Sequence, residues 1–167
     1  MTPYSQNRNL GTSKDSLISD IYLMDCIEGM KQYPDKYFDL AIVDPPYGID
    51  RNGMNMGNSV FNKDNKKWDS EIPTKEYFEE LFRVSKNQII WGGNYMTEHL
   101  PPSMGWIIWD KGQRGFSLAD GEMAWTSFNN ALRIKEYARA LANREEKNHP
   151  TQKPIEIINW CFEYADR

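Results

Sequence analysis

The residues of this chain best suited to chemistry are Asp44-Pro45-Pro46-Tyr47. A residue before proline is pushed into an extended conformation and proline fixes its own φ, so Asp44 and Pro45 are both held stiffly. The Asp44 carboxylate and the Pro45 carbonyl then stand as two fixed acceptors, with an aromatic ring two positions on. Such a set suits a planar heterocycle that carries an exocyclic amino group. The acceptors take its two N–H bonds, and Tyr47 covers the ring face by stacking, worth about 1 to 3 kcal/mol per base. An aromatic amine is a poor nucleophile because its lone pair is delocalised into the ring. Hydrogen bonds from both amino protons draw the nitrogen toward a tetrahedral shape and localise that pair. The plainer alternative is a proline-rich turn that closes a strand.

A second group is His149-Pro150-Thr151-Gln152-Lys153-Pro154, at the entry to the last helix. A hydroxyl, an amide and an ammonium at a helix N-terminus make a natural carboxylate or phosphate contact. A capped helix start with an incidental lysine is the plainer alternative. Asp25, before Cys26, reads on its own as a helix N-cap. Two basic groups stand out: Lys63, Lys66 and Lys67 beside Trp68, and Arg133, Lys135, Arg139, Arg144 and Lys147. On charge alone these are solvated faces.

Positioning these residues requires an alternation of strands and helices. Ile21 to Met24 has a short strand pattern, and a helix is expected from Cys26 to Tyr33, ended by Pro34. Tyr37 to Val43 reads as a buried strand that stops at Pro45 and Pro46, which cannot continue a central ladder. Residues 48 to 73 form a long polar connection, expected to be a mobile functional loop. Thr74 supplies an N-cap for a helix with Tyr77, Phe78, Leu81 and Phe82 on one stripe. Gln88 to Trp91, Gly105 to Trp109 and Glu122 to Ser127 are further strands, and Asn94 to Leu100 is a short helix. The exits at Trp91-Gly92-Gly93-Asn94 and Trp109 to Lys111 fall on the same edge as Asp44. Leu132 to Leu141 is ambiguous between strand and helix. In the last helix, Ile155, Ile158, Phe162 and Ala165 repeat at helical spacing. The class is α/β, with helices on the faces of a sheet whose strand ends collect ligands.

A chain of 167 residues with 40% hydrophobic residues is sized for one folded domain with a core, not for a large multidomain machine. Residues 1 to 16 are polar and read as a loose arm. The apolar runs are strand-sized, which excludes a membrane-spanning helix. No signal core precedes residue 10, and Cys26 and Cys161 are too few for a disulfide framework, so a cytoplasmic protein with reduced thiols is expected. Two histidines and two cysteines give no zinc pattern, so no metal is expected. The net charge of −4 argues mildly against nucleic acid, although local patches outweigh totals.

Together the two motif blocks resemble the amino-group DNA methyltransferases of the β class, in which an Asp-Pro-Pro-Tyr block precedes a His-Pro-Thr-Gln-Lys-Pro block. The resemblance spans most of residues 20 to 167 and includes Asp25-Cys26, Tyr77-Phe78, Leu81 to Val84, Asn87 to Tyr95, Trp109-Asp110-Lys111 and Ala124-Trp125-Thr126. The combination is most similar to the small adenine methylases of phages and prophages, which serve restriction-modification or phage protection. It implies a Rossmann-like S-adenosylmethionine-dependent methyltransferase sheet, circularly permuted, in a single catalytic domain. Asp44, Pro45, Pro46 and Tyr47 would then hold a flipped-out adenine of DNA for methylation at its 6-amino group. Asp25, the Cys26 backbone, Asp44, Thr151 and Lys153 would contact S-adenosylmethionine. Lys63, Lys66, Lys67, Arg133 and Lys135 would meet DNA, and residues 128 to 148 would form a short target-recognition insert. A homodimer fits the family.

The family places a Phe-x-Gly-x-Gly cofactor loop and further strands after the last helix, where this chain ends at Arg167. A sheet truncated at the C-terminus is therefore expected, with an apolar edge near the last helix and weak cofactor binding. The alternatives are an RNA or protein amino-group methyltransferase, or an inactive DNA-binding or assembly fragment without that loop.

Overall fold

The computed structural model describes residues 19–49, 69–115, 118–143 and 152–167. The expected arm at 1 to 16 lies outside them, as do residues 50–68 of the long connection. Helix α1 (Cys26–Met30) starts where the Asp25 carboxylate accepts the N–H groups of Ile27 and Glu28, at 3.0 and 3.1 Å. It stops short of Tyr33 because the Arg83 guanidinium takes the carbonyls of Met30 and Tyr33, at 3.1 and 2.9 Å. Strand β1 (Phe38–Val43) is followed by α2 (Lys75–Val84), which turns directly into β2 (Ser85–Trp91). Thr74 occupies the N-cap position of α2 without a side-chain capping bond. β2 starts three residues before the expected Gln88, because buried Ser85 and Gln88 satisfy each other: the Gln88 amide donates to the Ser85 carbonyl and hydroxyl, both at 2.9 Å.

Strands β3 (Trp106–Asp110), β4 (Gly121–Thr126) and β5 (Arg133–Glu136) and helices α3 (Arg139–Ala142) and α4 (Ile155–Ala165) complete the elements among the described residues. The ambiguous stretch from Leu132 to Leu141 is thus a strand followed by a helical turn. The five-stranded sheet has the order β1-β2-β4-β3-β5. β1 pairs parallel with β2, and β3 with β5, while β4 runs antiparallel to both β2 and β3. The chain is therefore a mixed α/β protein compatible with a Rossmann-like fold. The carboxyl ends of β1, β2, β3 and β5 and the start of β4 share one edge.

Alternate residues of the strands face opposite layers. Ile89, Trp91, Ile107 and Trp109 pack with Ala142 of α3 and with Ile157, Trp160, Cys161 and Tyr164 of α4. Ile90 and Trp125 pack on the other side with Tyr77, Phe78 and Leu81 of α2 and with Met96.

Four expectations are corrected. Ile21 to Met24 is not a strand: it has no pairing partner among the described residues, and Ile21 and Leu23 project into solvent. Asn94 to Leu100 is not a helix; the chain makes only a 3₁₀ turn, Gly93–Tyr95, before Pro101 and Pro102. α4 buries Ile157, Trp160, Cys161 and Tyr164, whereas Ile155 and Phe162 are exposed. Both stripes have helical spacing, and the one bearing the Trp and Tyr rings removes more apolar area from water. β1 is an edge strand whose apolar run is only half-buried.

Candidate functional site

Directly after β1, the chain turns through Pro45 and Pro46 so that Tyr47 folds back over Asp44. Its backbone N–H donates to the buried Asp69 carboxylate at 2.7 Å. Its hydroxyl donates to Asp44 Oδ1 at 2.7 Å. The ring lies against Gly92 at the exit of β2. A Cβ there would come within 2.2 Å of the ring, and Gly92 has φ of +70°, so both the space and the backbone demand glycine. Tyr95, from the 3₁₀ turn, stacks on Tyr47 with centroids 5.3 Å apart and planes inclined by 18°.

Lys153 enters this group from the start of α4, across a sequence separation of 109. Its ammonium donates to Asp44 Oδ1 and Oδ2 at 3.0 and 2.9 Å and to the Tyr47 hydroxyl at 3.1 Å. It also lies 5.2 Å from the Trp91 ring and 5.6 Å from the Tyr47 ring, and its side chain is 7% exposed. Behind it, Glu122 Oε2 stands 2.7 Å away as an ion pair, and Glu122 Oε1 pairs with Lys111 at 2.6 Å. Glu122 Oε2 is buried, with the Lys153 ammonium as its close partner. Burial alone would push the Glu122 carboxyl up, but Lys153 and Lys111 overcome it and hold the group down at about 2.

Beside the Asp44-Pro45-Pro46 turn lies a cavity of about 420 Å³ walled by Cys26, Ile27, Val43, Pro46, Ile72 and Tyr77. The structure thus brings Cys26 to the same space as Asp44, Pro45 and Pro46. The Asp25 carboxylate caps α1 and does not line that cavity.

Thr151, Lys63, Lys66, Lys67 and Trp68 fall outside the described residues. Arg133 and Lys135 sit on β5, at the opposite edge of the sheet from Asp44. Lys135 is paired with Glu156 at 2.5 Å, and Arg133 opens β5 opposite Ile107, away from the edge that carries Asp44. Within residues 128 to 148, β5 extends the central sheet and Ala142 enters its core.

Sequence reasoning missed Glu122 and Asp69. The register that places Glu122 opposite Trp109 carries a signal for the first: a β3–β4 hairpin brings Lys111 and Glu122 together at one edge. Asp69 gave no signal, being one acid in a polar stretch.

The chain matches no protein-family model and no curated protein. Among the described residues, no group of three or more His, Cys, Asp or Glu is arranged to hold a metal ion. No helix among them is long and apolar enough to cross a membrane.

Proposed function

We propose that this chain is the catalytic part of a DNA adenine-N6 methyltransferase that uses S-adenosylmethionine, on a circularly permuted Rossmann-like sheet. The supporting observation is the meeting of Asp44, Tyr47 and Lys153, which brings both motif blocks to the carboxyl edge of the parallel strands. The apolar cavity beside Asp44, with Cys26 at its wall, fits the purine of the cofactor. When bound, the cofactor supplies an electrophilic methyl group on a sulfonium.

The residues of the chain act on the target amine. The Asp44 carboxylate and Pro45 carbonyl accept the two N–H bonds of an adenine taken out of the duplex stack. This localises the nitrogen lone pair and aims it in line with the methyl carbon. Tyr47 is pinned by Asp69 through its backbone and by Gly92 and Tyr95 around its ring, so its place beside Asp44 is preorganised. The amine loses its proton readily once alkylated, and no step needs Asp44 to take it.

The test is incubation of the chain with S-adenosylmethionine and duplex DNA, followed by mass spectrometry of the nucleosides. N6-methyladenine above background is expected. Methyl transfer to RNA or protein alone, with DNA untouched, would overturn the assignment of substrate.

A further inference from the structure

Asp44, the proposed acceptor for the substrate amine, is already occupied. Both oxygens accept from Lys153, and Oδ1 also accepts from the Tyr47 hydroxyl. An arriving amine meets a carboxylate that already accepts three of about four hydrogen bonds, and it competes with the ammonium for the rest. The ammonium has nowhere wet to go, since its side chain is 7% exposed and roofed by the Trp91 and Tyr47 rings. Moving a buried cation off its partner is costly unless a second anion receives it. Glu122 is that anion: Oε2 already lies 2.7 Å from the ammonium, closer than either Asp44 oxygen. Its other oxygen is anchored by Lys111 at 2.6 Å, so the carboxylate stays in place while Lys153 turns.

Resting on the methyl-transfer assignment above, we propose that Lys153 is a latch shared by two carboxylates, and that Glu122 is the positioning residue which takes the ammonium when Asp44 turns to the substrate amine. No bond is made or broken in this step. Lys153 exchanges donor directions from Asp44 to Glu122, and the amino protons of the base replace it on Asp44. The buried charge count is unchanged throughout, which keeps the exchange inexpensive.

The consequence is selective. A purine with an exocyclic amine competes with Lys153 for Asp44 and favours the exchange, and one without it does not. The experiment is NMR titration of the chain with adenosine and with purine riboside, which lacks the amine, in the wild type and in Glu122→Gln. In the wild type, adenosine should bind more tightly than purine riboside and should shift the Lys153 side-chain signals. In Glu122→Gln, adenosine affinity should fall about ten-fold while purine riboside affinity stays put, because Asp44 is then the one carboxylate partner of Lys153 among the described residues. Glu122→Asp retains the charge one methylene further back and should give an intermediate loss; it also serves if the glutamine variant does not fold. If the wild type prefers adenosine and both variants keep that preference unchanged, the latch is wrong and the assignment stands. If the wild type binds the two nucleosides equally, or neither, the assignment of Asp44 to an amine fails and the latch fails with it.

Discussion

Two aspartates sit at the carboxyl ends of strands on the same edge of the sheet, and they are held in opposite ways. Asp110, the last residue of β3, receives the Arg114 guanidinium on both oxygens, at 2.9 and 2.6 Å, and the Gly112 N–H on Oδ1 at 2.9 Å. Arg114 foremost, with Gly112, holds its carboxyl down at about 2. A planar fork plus a backbone donor leaves that carboxylate nothing to exchange, and its work is to close the turn after β3. Asp44, just past β1, is met instead by a point-like ammonium shared with Glu122 and by a phenol. The ammonium can swing onto Glu122, and the phenol can turn its O–H, without breaking a turn. Similar placement therefore yields a structural carboxylate in one case and an exchangeable acceptor in the other.

Removing each carboxylate in turn separates the two. Asp44→Ala should lower methyl transfer to DNA at least a hundred-fold at saturating cofactor, the scale of losing one transition-state hydrogen-bond group. Asp110→Ala should leave turnover within a few-fold of wild type while lowering the melting temperature. Initial rates with tritiated cofactor, alongside thermal melts, would check both. Equal losses of turnover in the two variants would erase the distinction.

The glycines next to the two aspartates sharpen it further. Gly92 and Gly112 both have positive φ, +70° and +61°, so alanine strains the backbone at either. At Gly92 the added Cβ also meets the Tyr47 ring at 2.2 Å, while at Gly112 its nearest neighbour is the Glu136 carboxylate at 3.2 Å. Gly92→Ala should therefore cost about 1 to 3 kcal/mol and displace Tyr47, and Gly112→Ala should cost about 1 kcal/mol with the site undisturbed. Urea melts and near-ultraviolet dichroism of the tyrosines would separate them.

How much of this was legible in the sequence follows from the range of each interaction. The Asp44-Pro45-Pro46-Tyr47 turn after a strand, the Asp25 cap and the shared edge of the two strand exits depend on neighbours a few residues apart, and they could be read directly. Lys153 was named from its motif, yet its partners Asp44 and Glu122 lie across the fold, so its burial between them could not be seen. Glu122 looked like an ordinary polar start to a strand because only the β3–β4 register sets it against Lys111 and Lys153. The buried stripe of α4 was misread because Ile155 and Phe162 keep the same period as Trp160 and Tyr164, and the sheet chose between them. Ile21 to Met24 has the composition of a strand, but a strand also needs a neighbour to bond with.

The smallest effect separates the two kinds of site by acid. Asp110 and Glu122 are both held at about 2, below ordinary values of 3.8 and 4.5. A carboxylate whose folded pKa is depressed adds stability that is complete above its unfolded pKa and is lost as the pH falls toward the folded one. The melting temperature should accordingly decline from about pH 4.5 down to about pH 2. Glu122 lies between two largely buried lysines, whereas the Arg114 side chain is 62% exposed and water screens its pairing with Asp110. Glu122→Gln should therefore flatten more of the decline than Asp110→Asn, and the Glu122 part should survive 0.5 M salt while the Asp110 part shrinks. If Asp110→Asn flattens the acid limb more, or salt erases both parts alike, the Lys153 and Glu122 charges are in contact with solvent, and the dry exchange proposed for them loses its basis.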